Sequence, residues 1–97
     1  MNRIDKDKLT ERLALELPVM RARLGVTQDE ISEIIGISRQ TYSSIETRKR
    51  KMAWTTFVAL LFVFYHNSAT RDLVESTGIF TDEFRMVLET DYRNDND

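Results

Sequence analysis

Ninety-seven residues, 41% hydrophobic and 31% charged, suit one globular domain with a modest core and leave no room for a second. The absence of cysteine excludes a disulfide framework and a cysteine-ligated zinc site, and a lone histidine excludes the usual two-histidine metal pairs. A net charge of −2 argues at first against a polyanionic partner, but its distribution does not: residues 38–71 carry six Lys or Arg against one Glu, and residues 72–97 carry two Arg against eight acids.

The chain opens on Met1 to Lys8, a polar stretch with charges of both signs that is expected to fray and does not resemble a secretory leader, so a cytoplasmic location is expected. Leu9, Leu13 and Leu17 then recur every four residues among Glu11, Arg12 and Glu16, which predicts an amphipathic helix from about Asp7. Pro18 removes one backbone donor, and a bend is expected there, with Val19 to Leu24 continuing and Met20 and Leu24 turned inward. Arg23 faces solvent or a phosphate.

The stretch from Gly25 to Arg50 carries the most information. Thr27 is a good N-cap, Glu30 completes a capping box, and Val26 with Ile31 forms a hydrophobic staple, so a helix should begin at Gln28. Ile31, Ile34 and Ile35 supply its expected buried stripe, and Gly36 supplies a left-handed stop after two turns. Ser38 caps a second helix, expected over about Arg39 to Thr47, with Tyr42 and Ile45 inward.

At about 100° per residue, Gln40, Ser43, Ser44 and Thr47 point away from Tyr42 and Ile45, and Arg39 stands at the N-terminal end. None of these side chains is apolar or acidic. Small hydroxyls let a helix come close to a polar surface, and Arg and Gln present the donor and acceptor groups that read base edges in a major groove. Arg48, Lys49, Arg50 and Lys51 follow at once, four cations placed to hold phosphates. The alternative is a solvated helix followed by a charged loop.

Beyond a connector from Lys51 to Trp54, Thr55 or Thr56 is expected to cap a helix running through His66. Its apolar run from Phe57 to Tyr65 is nine residues; about 20 are needed to span a bilayer, so no membrane association is expected. A helix apolar nearly all round is buried on more than one side, either as the centre of a bundle or against a partner. Trp54 is expected in the core and His66 at the helix end. Asn67 and Ser68 should cap a shorter helix to about Thr77, closed by Gly78, after which Ile79 and Phe80 return to the core. Thr81 opens a last helix with a Phe84, Val87, Leu88 stripe, which either packs on its own bundle or meets a second copy. Residues 1–90 are thus expected to form one domain, followed by a disordered acidic tail over 91–97.

Residues 27–46 resemble the helix-turn-helix of the lambda-repressor and Cro-like regulators, the XRE family, and a thinner match runs from about Leu13 to Ile79. The resemblance rests on Gln28 at the front of the first helix, Gly36 in the turn, Ser38-Arg39-Gln40-Thr41 opening the second, and Ile45-Glu46 near its end. It implies an all-α, compact five-helix bundle, here with an extra C-terminal helix, whose members mostly bind double-stranded operator DNA as homodimers. By this resemblance the base-reading positions are Arg39, Gln40 and Ser44, with Ser43 adjacent. Phosphate contacts fall on Gln28 and Lys49, and Thr27, Thr47, Arg48 and Arg50 border them. Arg21 and Glu46 fall on an ion pair that ties the first helix to the recognition helix.

The sequence departs from the family pattern at four positions. Ser32 replaces a small Ala, and its hydroxyl is expected to return to the carbonyl four residues back. Tyr42 replaces a β-branched aliphatic and needs a partner for its hydroxyl. Arg48 stands where Gly usually ends the helix, which either strains a left-handed position or moves the helix end. Met52 stands where Pro is common.

The expected function is a sequence-specific transcriptional regulator, a repressor acting as a homodimer on a two-fold-related operator. The alternative is an antitoxin-like module that uses the same fold to hold a protein partner, for which the acidic C-terminal section argues. With one His, no Cys and no acid/base constellation, neither an enzyme nor a cofactor is expected.

Overall fold

The computed structural model describes residues 4–89; the tail expected over 91–97 lies outside them. The described residues form six helices and no strand: α1 (Lys6–Leu24), α2 (Gln28–Ile35), α3 (Arg39–Glu46), α4 (Trp54–His66), α5 (Ser68–Ser76) and α6 (Asp82–Glu89). This is an all-α arrangement of five helices with a sixth added at the C-terminal side. None of the described helices is long and apolar enough to cross a membrane.

Helix α1 begins at Lys6, within the stretch expected to fray, because Asp5 caps it: the Lys8 backbone N–H donates to Asp5 Oδ1 at 3.0 Å. It runs through Pro18 without interruption. Leu13, Leu17 and Met20 are fully buried on one stripe, so the segments on either side of the proline share a core that keeps them in one helix. Gly25, at φ 71°, closes it. Helix α1 packs against α3, α4 and α5, and α4 packs most closely against α5.

Both reciprocal bonds of the α2 capping box form, Glu30 N to Thr27 Oγ1 at 3.1 Å and Thr27 N to Glu30 Oε1 at 2.8 Å. The inward face differs from the expected stripe: Ile31 is buried, but Ile34 is 58% exposed and Ser32 takes the buried place beside Ile31. A small residue lets the neighbouring helix approach, and the larger Ile34 is left outside the contact. The Ser32 hydroxyl donates to Asp29 O at 2.8 Å, three residues back and not four.

Helix α3 ends at Glu46, with Thr47 as its C-cap. Arg48 adopts φ 63°, and the left-handed position is therefore occupied by a non-glycine residue. Neither Thr55 nor Thr56 caps α4. The helix starts two or three residues earlier, at Trp54, and its N-cap Ala53 offers no side-chain bond.

Phe57, Leu60, Leu61 and Phe64 of α4 are buried, while Val58, Phe62 and Tyr65 form a row along its outer side, with Phe62 70% exposed. Trp54 stacks on Phe57, centroids 4.7 Å apart, and meets Phe84 edge-on at 5.8 Å. Asn67 caps α5, and the turn after it places Gly78 at φ 78°, a conformation that favours glycine, with its carbonyl accepting from Arg12 Nη1 at 3.2 Å. Of the stripe expected on α6, Phe84 is buried and Val87 half-buried, but Leu88 is 60% exposed. Helix α6 thus packs back on the bundle through Phe84 and leaves an open apolar groove of about 730 Å³ beside α4, lined by Val58, Phe62, Tyr65, Val87 and Leu88 among others.

Candidate nucleic-acid interface

Helix α3 is short and held from below. Ser38 Oγ accepts from the Thr41 N–H at 3.0 Å, and Tyr42 and Ile45 anchor the inner side in the core. Anchoring at 42 and 45 fixes which side faces out. Arg39, Gln40, Thr41, Ser43, Ser44, Thr47, Lys49 and Arg50 line one shallow depression of about 490 Å³ along the helix and the loop after it. No apolar and no acidic side chain lines it. Its hydroxyls and amide can donate and accept, and its three cations give it a positive field that favours an anionic ligand.

The geometry refines the residues singled out from the sequence. Arg39 and Gln40 are exposed at the tip, while Ser43 and Ser44 are half-buried in the floor. Thr47 is exposed, but its hydroxyl donates back to Ser43 O at 2.9 Å. Lys49 and Arg50 reach the depression; Arg48, Thr27 and Gln28 do not line it. Arg48 borders a second depression with Glu11, Leu15 and Met52. Lys51 turns away to Asp7, 2.9 Å distant, whose hydrogen bond and charge raise the lysine above its ordinary value. Thr41 is a residue of the depression that the sequence reading placed only at the helix opening. Its Oγ1 accepts from Ser38 Oγ at 2.9 Å and from Arg50 Nη1 at 3.4 Å, which ties the loop cation to the helix; the Ser-x-x-Thr spacing is its sequence signal.

Beneath this surface one carboxylate joins three helices. Arg21 Nε donates to Glu46 Oε1 at 3.1 Å and Nη2 to Oε2 at 2.9 Å, a two-pronged pair, while Gln28 Nε2 donates to Oε2 at 3.2 Å. Arg21 also reaches the Val26 carbonyl at 3.3 Å. Burial pushes the Glu46 carboxyl up, but the bonds from Arg21 and Gln28, the nearby Tyr42 hydroxyl and the Arg21 charge together outweigh it and hold the group below its ordinary value. The same contact with Glu46 raises Arg21.

Tyr42 reports a tension at this point. Its ring is fully buried, and burial first, then the neighbouring Glu46, keeps the phenol protonated well above its ordinary range. The hydroxyl lies close enough to Glu46 and Arg21 to feel both, yet meets neither in hydrogen-bond geometry. A hydrogen bond depends steeply on angle whereas a field does not, so the hydroxyl feels both charges and stays unbonded.

A family model described as helix-turn-helix, of the XRE or lambda-repressor-like kind, matches residues 20–52, from the last turns of α1 to the loop after α3. No curated protein and no solved structure matches the chain. Over those residues the chain is similar to helix-turn-helix domains of the XRE type, and the depression on α3 is the outer face of the second helix of the match.

Proposed function

We propose that this chain, built around the helix-turn-helix at residues 20–52, is a cytoplasmic transcriptional repressor that binds a two-fold-related operator as a homodimer. The observation that carries the reading is the wholly polar, cationic depression on α3. In it Arg39 and Gln40 read base edges, Ser43 and Ser44 allow the helix backbone to come close, and Thr47, Lys49 and Arg50 grip phosphates, with further phosphate contacts from Thr27, Gln28 and Arg48 outside the depression. The apolar groove between α4 and α6 supports the dimer: large exposed side chains such as Phe62 gain most when a second copy covers them.

Selection of binding sites from random duplexes tests the reading. The enriched sites should be two-fold symmetric with half-sites about 34–36 Å apart. Arg39→Ala or Gln40→Ala should each weaken binding by about 1–3 kcal/mol and relax preference at one base pair. If both variants keep affinity and preference unchanged, the base-reading assignment is lost. The same groove also favours a second reading, in which it holds a different protein in the manner of an antitoxin. Light scattering separates the two: a homogeneous species of twice 11.4 kDa supports the dimer, and co-purification of a second chain supports the other.

A further inference from the structure

On the α2 side of the depression stands an acid where an acid should hinder DNA binding. Asp29, the second residue of α2, places Oδ1 3.4 Å from Nε of Arg39, the first residue of α3. The two side chains are 75% and 64% exposed, so water screens the pair and it contributes little to the stability of the fold. The α2 macrodipole accounts for an acid in the first turn, but Glu30 already serves that end with its capping bond, and the dipole does not call for a contact with Arg39.

The atom used is informative. The closest approach of the carboxylate to the guanidinium is at Nε, on the flank, and neither terminal nitrogen donates a hydrogen bond to a described residue. Those two nitrogens form the fork that meets guanine O6 and N7 together. Arg39 has no other ion pair among the described residues, and its neighbours in the depression are hydroxyls, an amide and like charges, none of which fixes its orientation. An unrestrained arginine serves equally well as a phosphate clamp; one held at Nε presents its fork in one direction.

We propose that Asp29 is a specificity-determining positioning residue: it orients the Arg39 guanidinium for guanine and keeps it off the phosphate backbone. This rests on the DNA-binding reading above and adds a member that the base-contacting set does not contain. Asp29 touches no base; it acts through Arg39, and its own negative charge opposes phosphate contact, so it exchanges general affinity for discrimination. The rotamer freedom of an arginine bounds the gain at about 30-fold, of which an exposed, water-screened pair retains about 2- to 5-fold.

The test uses the full chain and four proteins, wild type, Asp29→Asn, Arg39→Ala and the double variant, titrated against the selected operator and its variants at the base pair where Arg39→Ala relaxes preference. Asp29→Asn should cut discrimination at that pair about 2- to 5-fold, with affinity for random duplex unchanged or raised, and Asp29→Glu should restore part of the loss. In the Arg39→Ala background the same substitution should leave discrimination where it is. Equal changes on all sequences, or a loss of discrimination that persists without Arg39, would overturn the proposal. Thermal melting excludes a merely structural cause, since both side chains are exposed and the variants should melt together. If Arg39→Ala still binds DNA with its base preference intact, the base-reading assignment itself has failed, and that outcome is visible before Asp29 is altered.

Discussion

Arg48 offers a case where a side chain's charge and its backbone pull in opposite directions. At φ 63° an L-residue carries roughly 1–2 kcal/mol of steric strain that glycine escapes. Arg48→Gly would relieve it, and the extra freedom of glycine in the unfolded chain takes back about 0.4–1 kcal/mol. The bonds that close the turn, Arg48 N to Ile45 O at 3.0 Å and Lys49 N to Ser44 O at 2.9 Å, are backbone bonds and survive the change. Arg48 makes no ion pair among the described residues, so little else is lost. The net expectation is a gain of about 0.5–1 kcal/mol, or about 2–8 °C in melting temperature for a domain of this size. Binding should move the other way. If Arg48 neutralises one phosphate, the slope of log affinity against log salt falls by about 0.9. Arg48→Ala is the control, since it removes the charge but keeps the strain: its melting temperature should stay near wild type while its salt slope drops with the glycine variant's. Melting by circular dichroism and a salt series of DNA titrations measure both. A glycine variant that melts at or below wild type would refute the strain argument, and an unchanged slope would remove Arg48 from the phosphate contacts.

Tyr42→Phe deletes a buried hydroxyl that has no hydrogen-bond partner, and should raise stability by about 1 kcal/mol, read as a higher urea midpoint at constant m; a loss of similar size would show that the hydroxyl is bonded to Glu46 in solution. Glu46→Gln leaves the Arg21 fork without its counter-charge and should cost about 1.5–3 kcal/mol at neutral pH. Because the folded carboxyl titrates below its ordinary value of 4.5, that advantage is complete above 4.5 and fades as pH falls through the lower folded value, so wild type and variant should converge in acid. A gap that persists at low pH would contradict the assignment. Phe62→Asp, at a 70% exposed site, should leave melting of the monomer unchanged and shift light scattering from dimer to monomer; a dimer that survives it would use another surface.

Much of the fold was legible because its boundaries are written in short-range chemistry. The α2 and α3 starts depend on bonds within four residues, Thr27 with Glu30 and Ser38 with Thr41, and spacing alone reveals such bonds. What depends on a neighbouring helix was less legible. Ile31, Ile34 and Ile35 fit one stripe by periodicity, but the choice of Ser32 over Ile34 for the buried place is made by how closely another helix approaches. Pro18 shows the same thing: locally it argues for a bend, and the shared burial of Leu17 and Met20 on one stripe keeps its two sides in one helix, as the continuation to Leu24 required. At the candidate site, the outward face of α3 followed from the anchors at 42 and 45. The part that Thr41 plays in holding Arg50, and the meeting of Asp29 with Arg39, involve segments whose separation in space the sequence does not state.

The Glu46 carboxylate, gripped from α1 by Arg21 and from α2 by Gln28, makes the tilt of α3 a property of the whole front of the molecule. A probe helix clamped in this way arrives at a duplex already aligned, so association carries little cost of internal rearrangement. On the proposed DNA-binding reading, right and wrong sequences would then be met at similar speed and told apart by how long the protein stays.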